Sequence, residues 1–484
     1  MIPAALAIDS ASSWQVLAIA LVGEVLAMVF VYRVLVRGGS PASTLLWIVV
    51  ILAAPWFGLL LYYLLPRRLE LRRLRRLRVR GQRLRDVRPR RGGSAARTAT
   101  PRAGLPCLLA GADGTGLVGG NELRWLPTGE EFFAAAEVAI AATRHHVHCV
   151  VYIFRPDETG RRFLAVLADA ARRGVKVRLL FDSFGSLGLK DRHLQPLRDA
   201  GGEAVAFLPL LWKRRPFTVN LRNHRKLLVV DSEVGFVGGR NVGDEYFTDR
   251  VGKARRWLDA MVEVRGPAAG SLQAVFVEDW CTATDEVLAD LPACPGPAAG
   301  AGDRVGVVCS GPEVEESDLW NAVIQAINEA AISVDLSSPY LVPPPTLLFA
   351  LQLAAARGVR VRIFTNGPKA EAAVLYWAQR SHYARLLSVG VELYETIEEY
   401  NHAKVLVVDG KVVIVGSANM DLRSANLNFE LAVAVIDAPA LATQVEETID
   451  KRMRLFRRLT DADLPQTPFA RALSGFCGLF SPLL

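Results

Sequence analysis

The sequence predicts an α/β protein built from two copies of one domain, preceded by an apolar two-helix hairpin. Three observations carry that prediction. From about Leu105 onward, short β-branched runs alternate with amphipathic helical stretches, as in helices packed on mixed sheets. Two long parts of that region read alike, which marks a duplication. Ahead of it stand two apolar runs, each close to the roughly 20 residues that cross a bilayer.

The hairpin comes first in the chain. Half of the 484 residues are hydrophobic (51%) and mean hydropathy is positive, which points to membrane-embedded length. Trp14 to Val36 is broken only by Glu24 and Arg33, and Thr44 to Leu65 contains Pro55, which a membrane helix tolerates. Trp14, Tyr32, Tyr62 and Tyr63 sit where interfacial aromatics belong. Residues 1–68 are thus expected to form a transmembrane hairpin with spans 14–36 and 44–65. No basic stretch precedes Trp14, so a cleaved signal is not expected. Thirteen arginines crowd into Arg67 to Arg91 against Glu70 and Asp86. They make residues 69–104 a juxtamembrane linker held on the cytoplasmic side, and they suit anionic lipid headgroups. Aromatics for base stacking are missing from that stretch, which argues against nucleic acid as a partner. Six scattered cysteines without a CxxC pair argue against a disulfide framework or a zinc site.

The duplication follows. Ala171-Arg172-Arg173-Gly174-Val175 and Ala355-Ala356-Arg357-Gly358-Val359 each read as a helix stopped by a glycine cap and passing into a strand. Asn223-His224-Arg225-Lys226 through Asp231 matches Asn401-His402-Ala403-Lys404 through Asp409. Gly238-Gly239-Arg240-Asn241 then matches Gly416-Ser417-Ala418-Asn419, with 17 residues from histidine to asparagine in both copies. Pro292 to Gly302 is too rich in proline and glycine to form an element. The expected division is a first domain at 105–290, a linker at 291–302 and a second domain at 303–484.

Seven histidines and nine lysines in 484 residues give about 0.13 His-x-Lys pairs by chance, yet two occur in matching contexts. On a strand, residues two apart point to one face, so each histidine and its lysine can reach one ligand. Imidazole, ammonium and amide donors together describe an anion site with a built-in nucleophile. Asp231 and Asp409 complete the motif. Five residues past the lysines they fall on the opposite face of a straight strand, which favours a structural role. Arg144-His145-His146-Val147-His148 looks like a metal cluster but lacks matching carboxylates or cysteines. It is read as the end of a helix before a strand.

The pattern HxKxxxxD followed by GGxN or GSxN resembles the phospholipase D superfamily. Further stretches are similar to bacterial cardiolipin synthases: Trp47, Pro55 to Gly58, Ser310-Gly311-Pro312, Pro339 to Pro343, Asp421 to Ser424, Asn428 to Glu430 and the closing Leu479 to Leu484. The resemblance implies two phospholipase D-like domains, each a mixed sheet flanked by helices, related by a pseudo-two-fold axis. It implies transfer of a phosphatidyl group between two phosphatidylglycerol molecules, giving cardiolipin and glycerol, without metal or cofactor. Its implied catalytic set is His224, Lys226, Asp231, His402, Lys404 and Asp409, with His224 as nucleophile and His402 as general acid and then base. Asn241, Asn419, Gly239 and Ser417 would bind the phosphate. Asp259 and Glu430, which follow their histidines at comparable distances, resemble the carboxylates that orient each imidazole. The expected partners are phosphatidylglycerol and anionic lipids, and the expected location is the bacterial cytoplasmic membrane. Hydrolysis by a phospholipase D, use of phosphatidylethanolamine and an HKD nuclease remain open alternatives at this point.

Overall fold

The computed structural model describes residues 10–37, 41–58, 103–111, 116–209, 221–247, 257–288, 291, 302–312, 317–370 and 372–479. The chain divides into two units, Met1–Arg72 and Arg73–Leu484.

In the first unit, α1 (Ser10–Arg37) and α2 (Pro41–Ala53) pack through Ala27, Phe30, Val34 and Ile51. Leu21, Met28, Tyr32, Leu45 and Leu46 point outward, all more than 60% exposed. The described part of the expected spans forms a packed helical hairpin. Among the described residues, no helix is long and apolar enough to cross a membrane. One physical reason is that α2 stops at 13 residues, ahead of Pro55, whose ring cannot continue the hydrogen-bond ladder. The other is that α1 carries Glu24, Arg33 and Arg37. Residues 59–65 of the second expected span, and the arginine-rich stretch 67–91, lie outside the described residues.

The second unit opens with α3 (Gly104–Gly111). It continues through β1 (Leu117–Leu126), α4 (Gly129–Ala142), β2 (His146–Val151), α5 (Glu158–Arg172), β3 (Lys176–Asp182), α6 (Asp191–Asp199) and β4 (Glu203–Phe207). The first copy ends with β5 (Arg222–Asn223), β6 (Leu227–Val230), β7 (Val234–Gly238), α7 (Asp244–Phe247), β8 (Trp257–Leu258), β9 (Met261–Arg265) and α8 (Pro267–Thr284). The second copy begins with β10 (Asp303–Ser310), α9 (Asp318–Glu329), β11 (Ser333–Ser337), β12 (Leu341–Val342), α10 (Pro345–Ala356), β13 (Arg360–Thr365), α11 (Ala373–Arg380) and α12 (Tyr383–Leu387). It runs on through β14 (Glu392–Thr396), β15 (Tyr400–Asn401), β16 (Val405–Val408), β17 (Val412–Gly416), β18 (Met420–Asp421), α13 (Leu422–Asn426) and β19 (Asn428–Ile436). Last come α14 (Pro439–Arg452), β20 (Phe456–Arg458) and α15 (Pro468–Gly478).

Both copies share one sheet, ordered β20-β14-β13-β11-β16-β17-β19-β10-β1-β9-β7-β6-β2-β3-β4. Outward from the β1–β10 junction, equivalent strands follow in the same sequence on both sides, as a duplication requires. The junction is antiparallel, with Leu117 opposite Gly306 and Val118 opposite Val305. β6 and β16 are buried along their whole length, so they read as continuous apolar runs instead of alternating ones. Gly174 and Gly358 take φ of +89° and +88° at the ends of α5 and α10, the left-handed geometry that favours glycine.

The copies are not separated in space as they are in sequence. Helix α3, counted above with the first copy, puts Leu105 and Leu109 into the core of the second. The Leu105 amide donates to Glu329 Oε1 at 2.9 Å. Linker residues 292–301 lie outside the described residues.

The histidine cluster is structural. His146 and His148 share the inner face of β2, stack at 4.4 Å, and both bond the Gln273 side chain. His148 also stacks on Phe276 at 4.2 Å. Burial lowers His146 to about 4 and takes His148 well below its ordinary value. The unfolded chain therefore takes up protons near pH 6.5 that the folded chain refuses until near pH 4. Stability is full above that upper value and falls as pH drops through the window. Urea midpoints should decline from pH 7 to pH 5, and His146→Gln should lose about 2 kcal/mol less than wild type across that interval.

Candidate active site

Each histidine is seated by a strand of the other copy. β5 pairs in parallel with the start of β19, Arg222 opposite Asn428 and Asn223 opposite Phe429, and the His224 amide donates to the Phe429 carbonyl at 3.0 Å. By the same logic β15 pairs with β8, and the His402 amide donates to the Leu258 carbonyl at 2.7 Å. Glu430 arrives on β19 itself, and Asp259 directly follows β8. His224 Nδ1 lies 3.0 Å from both oxygens of Glu430, and His402 Nδ1 lies 2.6 Å from Asp259 Oδ2. The pairing crosses between copies: each carboxylate bonds the histidine of the opposite copy.

Burial alone would raise both carboxyls, but the imidazole and lysine charges outweigh it and hold Asp259 and Glu430 below the ordinary range. They are thus ionised acceptors, so each imidazole donates through Nδ1–H and keeps its Nε2 lone pair. Burial lowers His224 to about 4 against the pull of Glu430, and lowers His402 to about 3 with the help of Lys404. Burial also takes Lys404 down to about 8 and Lys226 well below its usual value. The lysines brace the turns: Lys226 Nζ donates to the His224 carbonyl at 2.6 Å, and Lys404 Nζ to the His402 carbonyl.

Both histidines, Asn241 and Asn419 line one cavity of about 190 Å³. Asn241 accepts from the Ile153 amide at 3.0 Å and donates to the Tyr246 hydroxyl at 2.8 Å. Asn419 takes its position from an amide bond to Ser424 Oγ at 3.2 Å, and its buried Oδ1 has no hydrogen-bond partner among the described residues. Gly239 and Ser417 serve the carboxylates. A Cβ at Gly239 would stand 2.2 Å from Asp259 Oδ1, so this position admits only glycine. The Ser417 hydroxyl donates to Glu430 Oε2 at 2.5 Å and accepts from the Leu431 amide, so it is engaged away from a phosphate.

Asp231 and Asp409 stand outside the cavity, which corrects their place in the catalytic set. They adopt φ of +53° and +52° just beyond β6 and β16. Asp231 gathers the amides of Arg144, His145 and His146 and the Thr143 hydroxyl, while Asp409 gathers those of Ala331, Ile332 and Ser333. Each staples the loop ahead of its neighbouring strand. Among the described residues no group of three or more histidine, cysteine or acidic side chains could hold a metal.

Sequence reasoning missed the aromatic wall. Tyr152 meets the His224 ring edge-on at 4.8 Å, and Tyr246 and Trp257 stand 5.4 and 5.2 Å from the His402 ring. Tyr400 stacks on Trp257 at 4.2 Å and bonds the Tyr340 hydroxyl at 2.8 Å. A signal existed for two of them: Tyr400 and Trp257 lie two residues before His402 and Asp259, hence on the same strand face. Tyr152 and Tyr246 carried none.

Residues 137–280 and 323–453 match the family described as cardiolipin synthase, PLD-like domain. The chain is 35% identical to the cardiolipin synthase of Geobacillus sp. (strain WCH70), over 81% of its own length and 79% of that protein's. It belongs to the cardiolipin synthase family. It is also 32% identical to cardiolipin synthase 1 of Bacillus anthracis, over 94% and 91% of the two chains. Residues 25–65 match a second family, phospholipase D-nuclease N-terminal. Phosphatidylserine synthase of Haemophilus influenzae Rd KW20 shares the fold, with a TM-score of 0.57 at 14% identity, over 75% of this chain and 93% of that one.

The unequal turns of this family member make a sharp test. Gly239→Ser should push Asp259 off His402 and lower phosphodiester turnover about 100-fold. Ser417→Gly removes one hydrogen bond to Glu430 and should lower it about 10-fold. Initial rates on a labelled phosphodiester check both.

Proposed function

We propose that this chain joins two phosphatidylglycerol molecules into cardiolipin and glycerol through a phosphohistidine. The observation that supports this most is the pair of imidazoles on one cavity, each fixed by the other copy's carboxylate with Nε2 available. His224 Nε2 attacks phosphorus, the P–O bond to the head glycerol breaks, and His402 gives that oxygen a proton. His402 Nε2 then takes the proton from a free hydroxyl of the second phosphatidylglycerol. That oxygen forms the new P–O bond as the P–N bond breaks. One phosphodiester replaces another, so the exchange is close to energy-neutral and needs no nucleotide. Lys226, Lys404, Asn241 and Asn419 spread the charge that builds on the phosphoryl oxygens. Burial weakens the imidazoles as bases, and the negative phosphodiester offsets this by favouring a proton on His402.

A lipid substrate also fits the first unit, whose outward apolar side chains would seat the hairpin in a bilayer. The proposed location is the membrane, with the second unit on the cytoplasmic side.

Detergent-purified protein given phosphatidylglycerol labelled in its acyl chains should yield cardiolipin, with glycerol released in equal amount. Phosphatidic acid as the sole product would instead make the protein a hydrolase. His224→Ala and His402→Ala should each cut turnover on the order of a thousandfold or more. Label trapped on His402→Ala protein but absent from His224→Ala protein would fix His224 as nucleophile, and the reverse would exchange the roles.

A further inference from the structure

The two copies carry opposite charges four residues after the site asparagines. In the first copy that position is Glu245, ion-paired with Arg155. In the second it is Arg423, on α13, which lines the same cavity as both histidines. The Arg423 guanidinium makes no ion pair or hydrogen bond with any described residue. That sets it apart from the arginines near it: Arg222 pairs with Asp182 at 3.4 Å and Arg225 with Asp279 at 2.5 Å. Arg222 and Arg423 also repel, since the charge of Arg423 adds to burial in lowering Arg222. Asp421 lines the same cavity without bonding Arg423, so a half-buried cation with a like charge nearby and no carboxylate bonded to it is poised for an anion. Lys226, Lys404 and the asparagines already serve the reacting phosphoryl group, so this charge is surplus to one phosphodiester.

We propose that Arg423 is a second phosphate site, which holds the intact phosphodiester of the acceptor lipid while that lipid's free hydroxyl is delivered to phosphorus. This deepens the transfer reaction proposed above and rests on it. In phosphatidylglycerol the acceptor hydroxyl and the phosphate belong to one short glycerol, so anchoring the phosphate confines the hydroxyl near the reacting centre. A fork of donors suits a diester with two free oxygens better than a point charge does. The first copy's Glu245, held by Arg155 and outside this cavity, offers no matching cation. The site would favour an anionic glycerophospholipid over water or a neutral alcohol as the group that takes the phosphatidyl moiety.

The test is a competition between two acceptors. Full-length protein in detergent receives acyl-labelled phosphatidylglycerol with ethanol added, and cardiolipin and phosphatidylethanol are measured together. In Arg423→Gln, cardiolipin formation should fall on the order of 10- to 100-fold further than phosphatidylethanol formation. The KM for phosphatidylglycerol as acceptor should rise. Arg423→Lys, which keeps the charge and loses the fork, should shift the partition the same way by a smaller factor, and it carries the test if the Gln variant fails to fold. If both products fall equally in the variants, or neither falls, the acceptor site is overturned while the transfer reaction stands. If wild-type protein makes phosphatidylethanol or phosphatidic acid but no cardiolipin, the transfer reaction fails and the acceptor site falls with it.

Discussion

The site depends on an exchange: each copy supplies a histidine to one half of the centre and the carboxylate to the other half. His224 meets Glu430 and His402 meets Asp259, and the short parallel pairings β5–β19 and β8–β15 that deliver them also run between copies. Neither copy alone holds a correctly oriented imidazole. The shared sheet enforces this, because β1 and β10 join the two halves edge to edge and fix the register of everything outward from them. Helix α3 adds to the bond by lodging ahead of the first copy yet inside the core of the second.

Exchange does not mean equivalence. Asp259 is one methylene shorter than Glu430 and lies so close to the turn that only glycine fits at position 239. Glu430 stands back far enough to accept the Ser417 hydroxyl, which the matching turn supplies. The turn residue and the carboxylate length therefore form two matched sets, Gly with Asp and Ser with Glu. The surroundings diverge further. The ring of His402 sits among Tyr246, Trp257 and Tyr400, while that of His224 meets Tyr152, and Arg423, Asn428 and Asp421 add polar groups to the same cavity. Two halves that began alike now differ around their histidines, which fits the separate nucleophile and acid of the reaction proposed above.

Much of this was legible in the residues. The repeat, the glycine caps at 174 and 358, and the same-face geometry of His224 with Lys226 all follow from local periodicity, which a chain cannot hide. The parity of Asp231 and Asp409 already turned them away from the site, and the structure gives them the work of tying loops. What could not be read is anything set by which strand lies next to which. Asp259 follows His224 and Glu430 follows His402 along the chain, and nothing local says that the partners cross. The extent of the hairpin's helices was hidden for a related reason. Hydropathy sums over a window, whereas a helix ends where one proline withholds its amide, as α2 does ahead of Pro55.

The electrostatics explain why so exposed a chemistry sits in so buried a place. Two imidazoles and two ammonium groups are gathered within one desolvated centre, against the ionised Asp259 and Glu430 and an Asp421 that burial raises to about 6. Desolvation lowers the proton affinity of all four bases, so each positive charge is costlier to hold there than in water. An entering phosphodiester reverses that balance by supplying the missing anion in a medium where its field is strong. In the reaction proposed above, its charge would strengthen proton binding by the two lysines and by the imidazole proposed as acid. On that proposal the substrate completes the centre, and the burial that makes these charges costly in its absence would favour a phosphoryl group as occupant.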